Sequence, residues 1–161
     1  MAHRKMTAAV VSQEALAADI YSMWMEAEEI AKEAKPGQFI SVYSRDGARL
    51  LPRPISICEI DKENGRLRIV YRIAGAGTAE FSAYKAGDPV EIMGPLGNGF
   101  PLTGKKAFLI GGGIGIPPML ELGKQLGGEA QFVLGYRDGQ TFLKDEMEKY
   151  GAVYVATEDG S

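Results

Sequence analysis

The feature that most constrains this chain is the run Lys106-Ala107-Phe108-Leu109-Ile110, followed at once by Gly111-Gly112-Gly113-Ile114-Gly115-Ile116-Pro117-Pro118-Met119-Leu120. A short apolar run, a glycine cluster and a helical pattern with prolines at its start spell a strand turning directly into a helix. Such a turn leaves backbone N–H groups without intrahelical partners, and its glycines let a ligand approach the main chain closely. Pro117 and Pro118 lack donors that the first helical turn would leave unpaired in any case. A pyrophosphate suits this arrangement. The run is neither a Walker loop, which needs Gly-Lys-Ser/Thr, nor a full GxGxxG fingerprint, because a proline takes the last glycine's place. Taken alone, it is equally a tight strand-to-helix turn without a ligand.

The residues after Pro101 alternate strand and helix. Strand Ala107 to Ile110, a helix from about Pro117 to Leu126, strand Ala130 to Tyr136, a helix from about Thr141 to Tyr150 and strand Val153 to Ala156 make a right-handed βαβαβ unit. This is half of a doubly wound sheet, in whose usual order the first strand is central and has a neighbour on each side. The second neighbour has no candidate here, so an unpaired apolar edge is expected, and we expect the chain to be a piece of a longer protein.

Upstream, residues 14 to 34 hold no glycine or proline and are rich in Ala, Glu and Met, which by propensity alone reads as one long helix. Against that reading, Ile20, Ser22, Trp24 and Glu26 alternate with Tyr21, Met23 and Met25, and Pro36-Gly37-Gln38 reads as a turn feeding strand Phe39 to Tyr43. We therefore expect strand, turn, strand over residues 6 to 26 and a short helix at 28 to 34. Ile55, Ile57 and Ile60 lead into the hairpin turn Asp61-Lys62-Glu63-Asn64-Gly65, after which Leu67, Ile69, Tyr71 and Ile73 alternate with charged or smaller residues. Gly75 to Thr78 opens a short helix through Tyr84, and Gly87-Asp88-Pro89 turns into strand Val90 to Met93. These elements make a small antiparallel barrel with one helical excursion. The expected organisation is a barrel unit at 1–102 and a partial α/β unit at 103–161.

Composition removes several classes of function. With 18 basic and 21 acidic residues, net charge −3 and no basic block, the chain is not built for nucleic acid. No apolar run reaches the length of a membrane span, and Met1 to Met6 lacks the apolar region of a signal peptide, so a cytoplasmic protein is expected. One cysteine excludes an internal disulfide, a cysteine-built zinc site and a four-cysteine iron–sulfur cluster within these residues. Cys58, in a strand-like run, is expected as a small buried hydrophobe. The one histidine, His3, lies in a tail expected to be disordered, which leaves no histidine triad or metal site.

Two further stretches carry chemistry. Arg53-Pro54-Ile55-Ser56 opens a barrel strand, where arginine offers a planar donor fork for a diphosphate and serine a hydroxyl for a heteroaromatic ring. Alternatively Arg53 pairs with a surface carboxylate and Ser56 faces solvent. Gly77-Thr78 is a second candidate anion site, or an ordinary helix cap.

In order and spacing, Arg-Pro-Ile-Ser at 53 to 56, Val-Tyr-Arg at 70 to 72, Gly-Thr at 77 to 78, GPLGNGF at 94 to 100 and GGGIGIPPM at 111 to 119 resemble the ferredoxin-reductase superfamily. Within it, the chain is most similar to the electron-transfer subunits of two-subunit, NAD-dependent dihydroorotate dehydrogenases. The resemblance implies a front barrel that binds FAD and a rear half-sheet that takes a nicotinamide dinucleotide. It assigns Arg53, Pro54, Ile55 and Ser56 to the flavin and its phosphates, Val70, Tyr71 and Arg72 to the ring and ribityl chain, and Gly77 and Thr78 to the pyrophosphate. Gly111, Gly112, Gly113 and Gly115 fall to the nicotinamide end of NAD(H). It also implies a catalytic dihydroorotate dehydrogenase subunit as partner, in the oxidation of dihydroorotate to orotate during pyrimidine biosynthesis.

Two departures stand out. Many members of the superfamily carry a tyrosine where this chain has Ile55, so ring stacking cannot come from that position. The four-cysteine [2Fe–2S] site that the resemblance implies is expected only beyond Ser161, so this chain by itself is not expected to be competent. No catalytic side chain is assigned, because hydride transfer needs no side-chain acid or base. Two other readings stay open: a flavin subunit of a ferredoxin-NADP reductase-like or sulfite reductase-like complex, and a non-catalytic docking module.

Overall fold

Residues 14 to 34 contain the first conflict between propensity and pattern, and pattern wins. The computed structural model of the protein describes residues 4–45, 51–102 and 106–161; His3 lies outside them. Strands β1 (Arg4–Ala17) and β2 (Ile20–Glu26) form an antiparallel hairpin across a turn in which Asp19 takes φ 60°, a left-handed conformation that aspartate tolerates. Met23 and Met25 are buried inside, as the alternation requires. The short helix α1 (Glu28–Glu33) buries Ile30 and Ala31 in the same core.

Strands β3 (Phe39–Val42), β4 (Arg53–Asp61) and β5 (Arg66–Arg72), helix α2 (Ala76–Phe81) and strand β6 (Pro89–Leu96) complete a closed antiparallel barrel in the order β1-β2-β5-β4-β3-β6. The β4–β5 hairpin turns where expected. There the Asp61 carboxylate accepts hydrogen bonds from the Asn64 backbone N–H (3.1 Å) and side-chain amide (2.9 Å).

The second unit is a parallel sheet of β7 (Ala107–Gly112), β8 (Ala130–Tyr136) and β9 (Gly151–Thr157), in that order, with α3 (Pro118–Leu126) and α4 (Lys144–Glu148) as crossovers. As expected, β7 stands at an edge; among the described residues no strand pairs on its other side. Leu109 is buried, whereas Phe108 and Ile110, on the opposite face, are 67% and 73% exposed.

Several boundaries differ from the sequence reading: β6 runs on to Leu96, β9 spans Gly151–Thr157 and β3 stops at Val42, and three further shifts have a visible cause. Strand β7 runs two residues into the glycine cluster, with Gly111 opposite Leu134 and Gly112 opposite Gly135. Helix α4 starts at Lys144 rather than Thr141. Leu143 adopts φ 66°, and the buried Tyr136 hydroxyl donates to the Phe142 carbonyl (2.8 Å), holding 141–143 as a turn. Helix α2 ends at Phe81, and the chain turns so that Tyr84 packs on Phe81 with ring centroids 5.9 Å apart.

Strand β5 is buried on both faces. Leu67, Ile69 and Tyr71 enter the barrel core, while Val70 joins Ile20 and Cys58 in a second core shared with α3, α4 and β8. Cys58 is fully buried, as expected, and burial pushes its thiol well above the ordinary range.

Candidate functional site

The start of β4, the end of β5 and the entry to α2 meet at one pocket of about 390 Å³, within the size range of small-ligand sites. Arg53, Pro54, Ile55 and Ser56 line it from β4, and Val70, Tyr71 and Arg72 from β5. Ala74 and Thr78 close the α2 end, and Ile114 reaches in from the turn after β7.

Arg53 is exposed, and its side chain lies over the entry to α2. A Cβ built on Gly75 would stand 3.4 Å from its Nη2, and one on Gly77 3.3 Å from its Nε. Gly77 therefore sits beneath Arg53 rather than on the pocket lining. The positive φ of this turn belongs to Gly75, at 101°. Thr78 Oγ1 accepts from the Ala74 N–H (2.7 Å) and donates to the Gly75 carbonyl (3.2 Å), which holds the 74–78 turn shut. No ion pair among the described residues engages Arg53 or Arg72. The Ser56 hydroxyl likewise has no hydrogen-bond partner among them. Two uncommitted guanidinium groups and one uncommitted hydroxyl are thus presented beside the apolar surfaces of Pro54, Ile55 and Ile114.

Val70 and Tyr71 line this pocket at 1% and 2% exposure, their side chains committed to the cores on either side. The Tyr71 ring stacks on Tyr21 at 6.1 Å, and its hydroxyl donates to Gln13 Oε1. It is a wall residue and offers no free face for stacking. Burial holds its phenol above the usual range.

A second crevice, about 370 Å³, lies at the C-terminal ends of the parallel strands, where ligands of open α/β sheets bind. Gly112 and Gly113 line it as the glycine cluster suggested, together with Arg72, Tyr136, Arg137, Thr157 and Glu158. Gly113 carries φ 55°, which suits glycine. Gly111 and Gly115 stand outside the lining. Gly111 is packed inward, since a Cβ there would meet the Gly115 carbonyl oxygen at 3.1 Å. Arg72 borders both cavities, with Nη2 4.0 Å from where a Gly113 Cβ would be. GPLGNGF plays a structural part: Gly97 accepts from Gln38 Nε2 (2.8 Å), and the Phe100 N–H donates to the Pro36 carbonyl (2.7 Å).

Sequence reasoning missed Arg137, Thr157, Glu158 and Ile114. The first three follow directly from strand ends, a signal available once β8 and β9 are assigned. Ile114 belongs to the barrel pocket only through tertiary packing.

No family model matches the chain. It is 46% identical over 160 residues to the "Dihydroorotate dehydrogenase B (NAD(+)), electron transfer subunit" of Streptococcus mutans, covering 94% of this chain and 62% of that protein. The subunit of the same name from Enterococcus faecalis is 42% identical over 160 residues, with 94% and 61% covered. The chain thus spans about three-fifths of the length of the curated relatives it matches. Among solved structures, an NADH-dependent reduced ferredoxin-NADP oxidoreductase of flavin-based electron bifurcation superposes with TM-score 0.84 at 29% identity, covering 96% of this chain and 57% of that one. Phthalate dioxygenase reductase, described as a modular structure for electron transfer from pyridine nucleotides to [2Fe-2S], superposes with TM-score 0.77 at 26% identity, covering 98% and 53%.

Proposed function

We propose that this chain, related along nearly its whole length to dihydroorotate dehydrogenase B electron transfer subunits, is the flavin-binding part of such a subunit. It passes electrons from or to NAD(H) in the oxidation of dihydroorotate to orotate. The observation that carries the reading is the meeting of Arg53, Ser56, Arg72 and Thr78 in one pocket that Arg72 joins to the Gly112–Gly113 crevice. Residues of the β4–β5 hairpin and the helix after it, and the glycines that follow β7, each matched to a family motif, converge on two adjoining cavities.

In this reading 1–102 is the FAD unit and 103–161 the partial NAD unit. Arg53 neutralises the FAD diphosphate beside the Gly75–Thr78 turn, and Gly77 keeps the space under that arginine open. Ser56 hydrogen-bonds the heteroaromatic ring system, and Pro54, Ile55 and Ile114 exclude water from its faces. Val70 and Tyr71 hold the wall rigid. Arg72 stands between the two ligands, where one cation serves both anionic chains, and Gly112 and Gly113 let the nicotinamide end of NAD(H) approach. Bound FAD supplies hydride acceptance and one-electron donation; the protein contributes orientation and charge.

The partner is a catalytic dihydroorotate dehydrogenase subunit. A four-cysteine [2Fe–2S] centre cannot be built from these 161 residues, which hold one cysteine, so its seat lies elsewhere and the chain alone does not deliver electrons onward. Among the described residues no helix is long and apolar enough to cross a membrane; the cytoplasm is proposed as its place on the likeness to the dehydrogenase subunits. The dihydroorotate reading is preferred to a ferredoxin-NADP reductase because the dehydrogenase subunits share 42–46% of residues and the oxidoreductase 29%.

Titration of the purified chain with FAD, followed by gel filtration, tests the reading. We expect one tightly held FAD per chain, with a flavin absorbance that stays with the protein through the column. A chain that stays colourless at saturating FAD refutes it in favour of a docking module.

A further inference from the structure

We infer that Arg68 is a positioning residue: with Ser22, Glu59 and Glu146 it fixes the angle at which the parallel sheet sits on the barrel, and so the alignment of the two cavities. The inference rests on the functional reading above for its consequence, but not for its geometry.

Arg68 leaves β5 on the outer side of the barrel, is 3% exposed, and lines neither cavity. Its Nε donates to Ser22 Oγ of β2 (2.7 Å), and its Nη1 to Glu59 Oε1 of β4 (2.7 Å). The same guanidinium grips Glu146 of α4 through two nitrogens, Nη1 to Oε1 at 2.6 Å and Nη2 to Oε2 at 3.1 Å. Three elements, two from the barrel and one from the α/β unit, therefore meet in the plane of one side chain. A second tie lies beside it. Glu121 of α3, 4% exposed, accepts the Ile60 backbone N–H at 2.7 Å, and Lys124 Nζ donates to Glu59 Oε2 at 2.9 Å.

A third tie is the Ala18 backbone N–H of the β1–β2 turn, which donates to Gln140 Oε1 at 2.7 Å; the core that the units share is apolar, through Ile20, Cys58 and Val70. Apolar burial is non-directional and tolerates sliding, whereas a planar fork on two carboxylates has one geometry. The angle must therefore come from the polar ties. Ile114 and Gly113 belong to the unit so held, and each stands against barrel residues: Ile114 in the Ser56–Thr78 pocket, Gly113 beside Arg72. Sliding the sheet would move both against the flavin site, and an error of about 1 Å there is costly for hydride transfer.

Pulsed electron paramagnetic resonance between nitroxides at Lys85→Cys and Glu129→Cys tests this. Both positions are exposed, one on each unit, and the buried Cys58 escapes labelling. The parent should give one narrow distance. Arg68→Lys keeps the charge but cannot hold Ser22, Glu59 and Glu146 together. It should stay folded and keep its FAD, at a lowered melting temperature because the buried carboxylates lose part of their fork, yet broaden or displace the distance by about 2 Å, the scale of helix shifts at packed interfaces. Glu146→Ala removes only the α4 tie, leaves Arg68 paired with Glu59, and should show the same change. A distance as narrow as the parent's, at the same value, in the folded variants overturns the inference. Failure of the parent to bind FAD would refute the functional reading and leave this measurement standing.

Discussion

Replacing Arg53 by alanine separates ligand binding from folding, because the side chain supports nothing else among the described residues. It is exposed at the start of β4, has no ion-pair partner there, and rests its guanidinium over Gly75 and Gly77. Losing it should therefore change folding stability by no more than about 0.5 kcal/mol, the usual range for a surface position. For a bound diphosphate the loss is larger. A charge-assisted hydrogen bond contributes about 1.5–3 kcal/mol, which converts to an FAD Kd weaker by roughly 10- to 150-fold. Binding should not vanish, since Arg72 borders the same pocket. Arg53→Lys should fall between, keeping a point charge but losing the two-pronged fork. Fluorescence quenching of FAD at low and moderate salt, with thermal melts on the same samples, measures both quantities. A Kd within twofold of the parent at low salt, with the melt unchanged, would remove Arg53 from the site and the anion argument with it.

Gly123→Ala should destabilise the fold by about 1–3 kcal/mol despite a better helix propensity. The new Cβ would collide with Cζ of the fully buried Phe132, and the urea midpoint reads the cost. Burial raises the Tyr71 and Tyr136 phenols above their ordinary value, so the unfolded chain ionises first as pH rises. Their stabilising contribution is whole below about pH 10 and should then fall by up to about 1.4 kcal/mol per pH unit for each; a urea midpoint flat across that range would contradict it. Amides of β7 to β9 should exchange with solvent faster than those of the barrel, because β7 has a free edge and Phe108 and Ile110 are uncovered. Uniformly slow exchange in a monomeric sample would refute this, and would show that the core shared with the barrel protects the three strands despite the open edge.

What the sequence determined by itself was local. The period-two pattern at Ile20 to Glu26 overrode a run of good helix formers, because one buried face needs Met23 and Met25 on the same side. The Asp61–Gly65 turn and the strand–glycine–proline junction at 106–120 read correctly for the same reason: each rests on the backbone chemistry of adjacent residues. The matched motifs also fell together, Arg53 to Ser56 with Val70 to Arg72 and Thr78, because a β4–β5 hairpin and the helix after it are neighbours in sequence. The other face of β5 was decided only by the tertiary structure. Alternation marks which residues cannot face water; it is silent on whether the opposite face does. Arg68 and Val70, the charged and smaller residues of that alternation, are covered by the α/β unit. Tyr71, which the resemblance assigns to the ring and ribityl chain, lines the pocket while its hydroxyl is held by Gln13, 58 positions away. Ile114 enters the barrel pocket only because the second unit docks there. A charged residue reads as exposed until its partners are known, and Arg68 finds Glu146 78 positions along the chain. That pairing follows from how the two units pack, which no local period encodes.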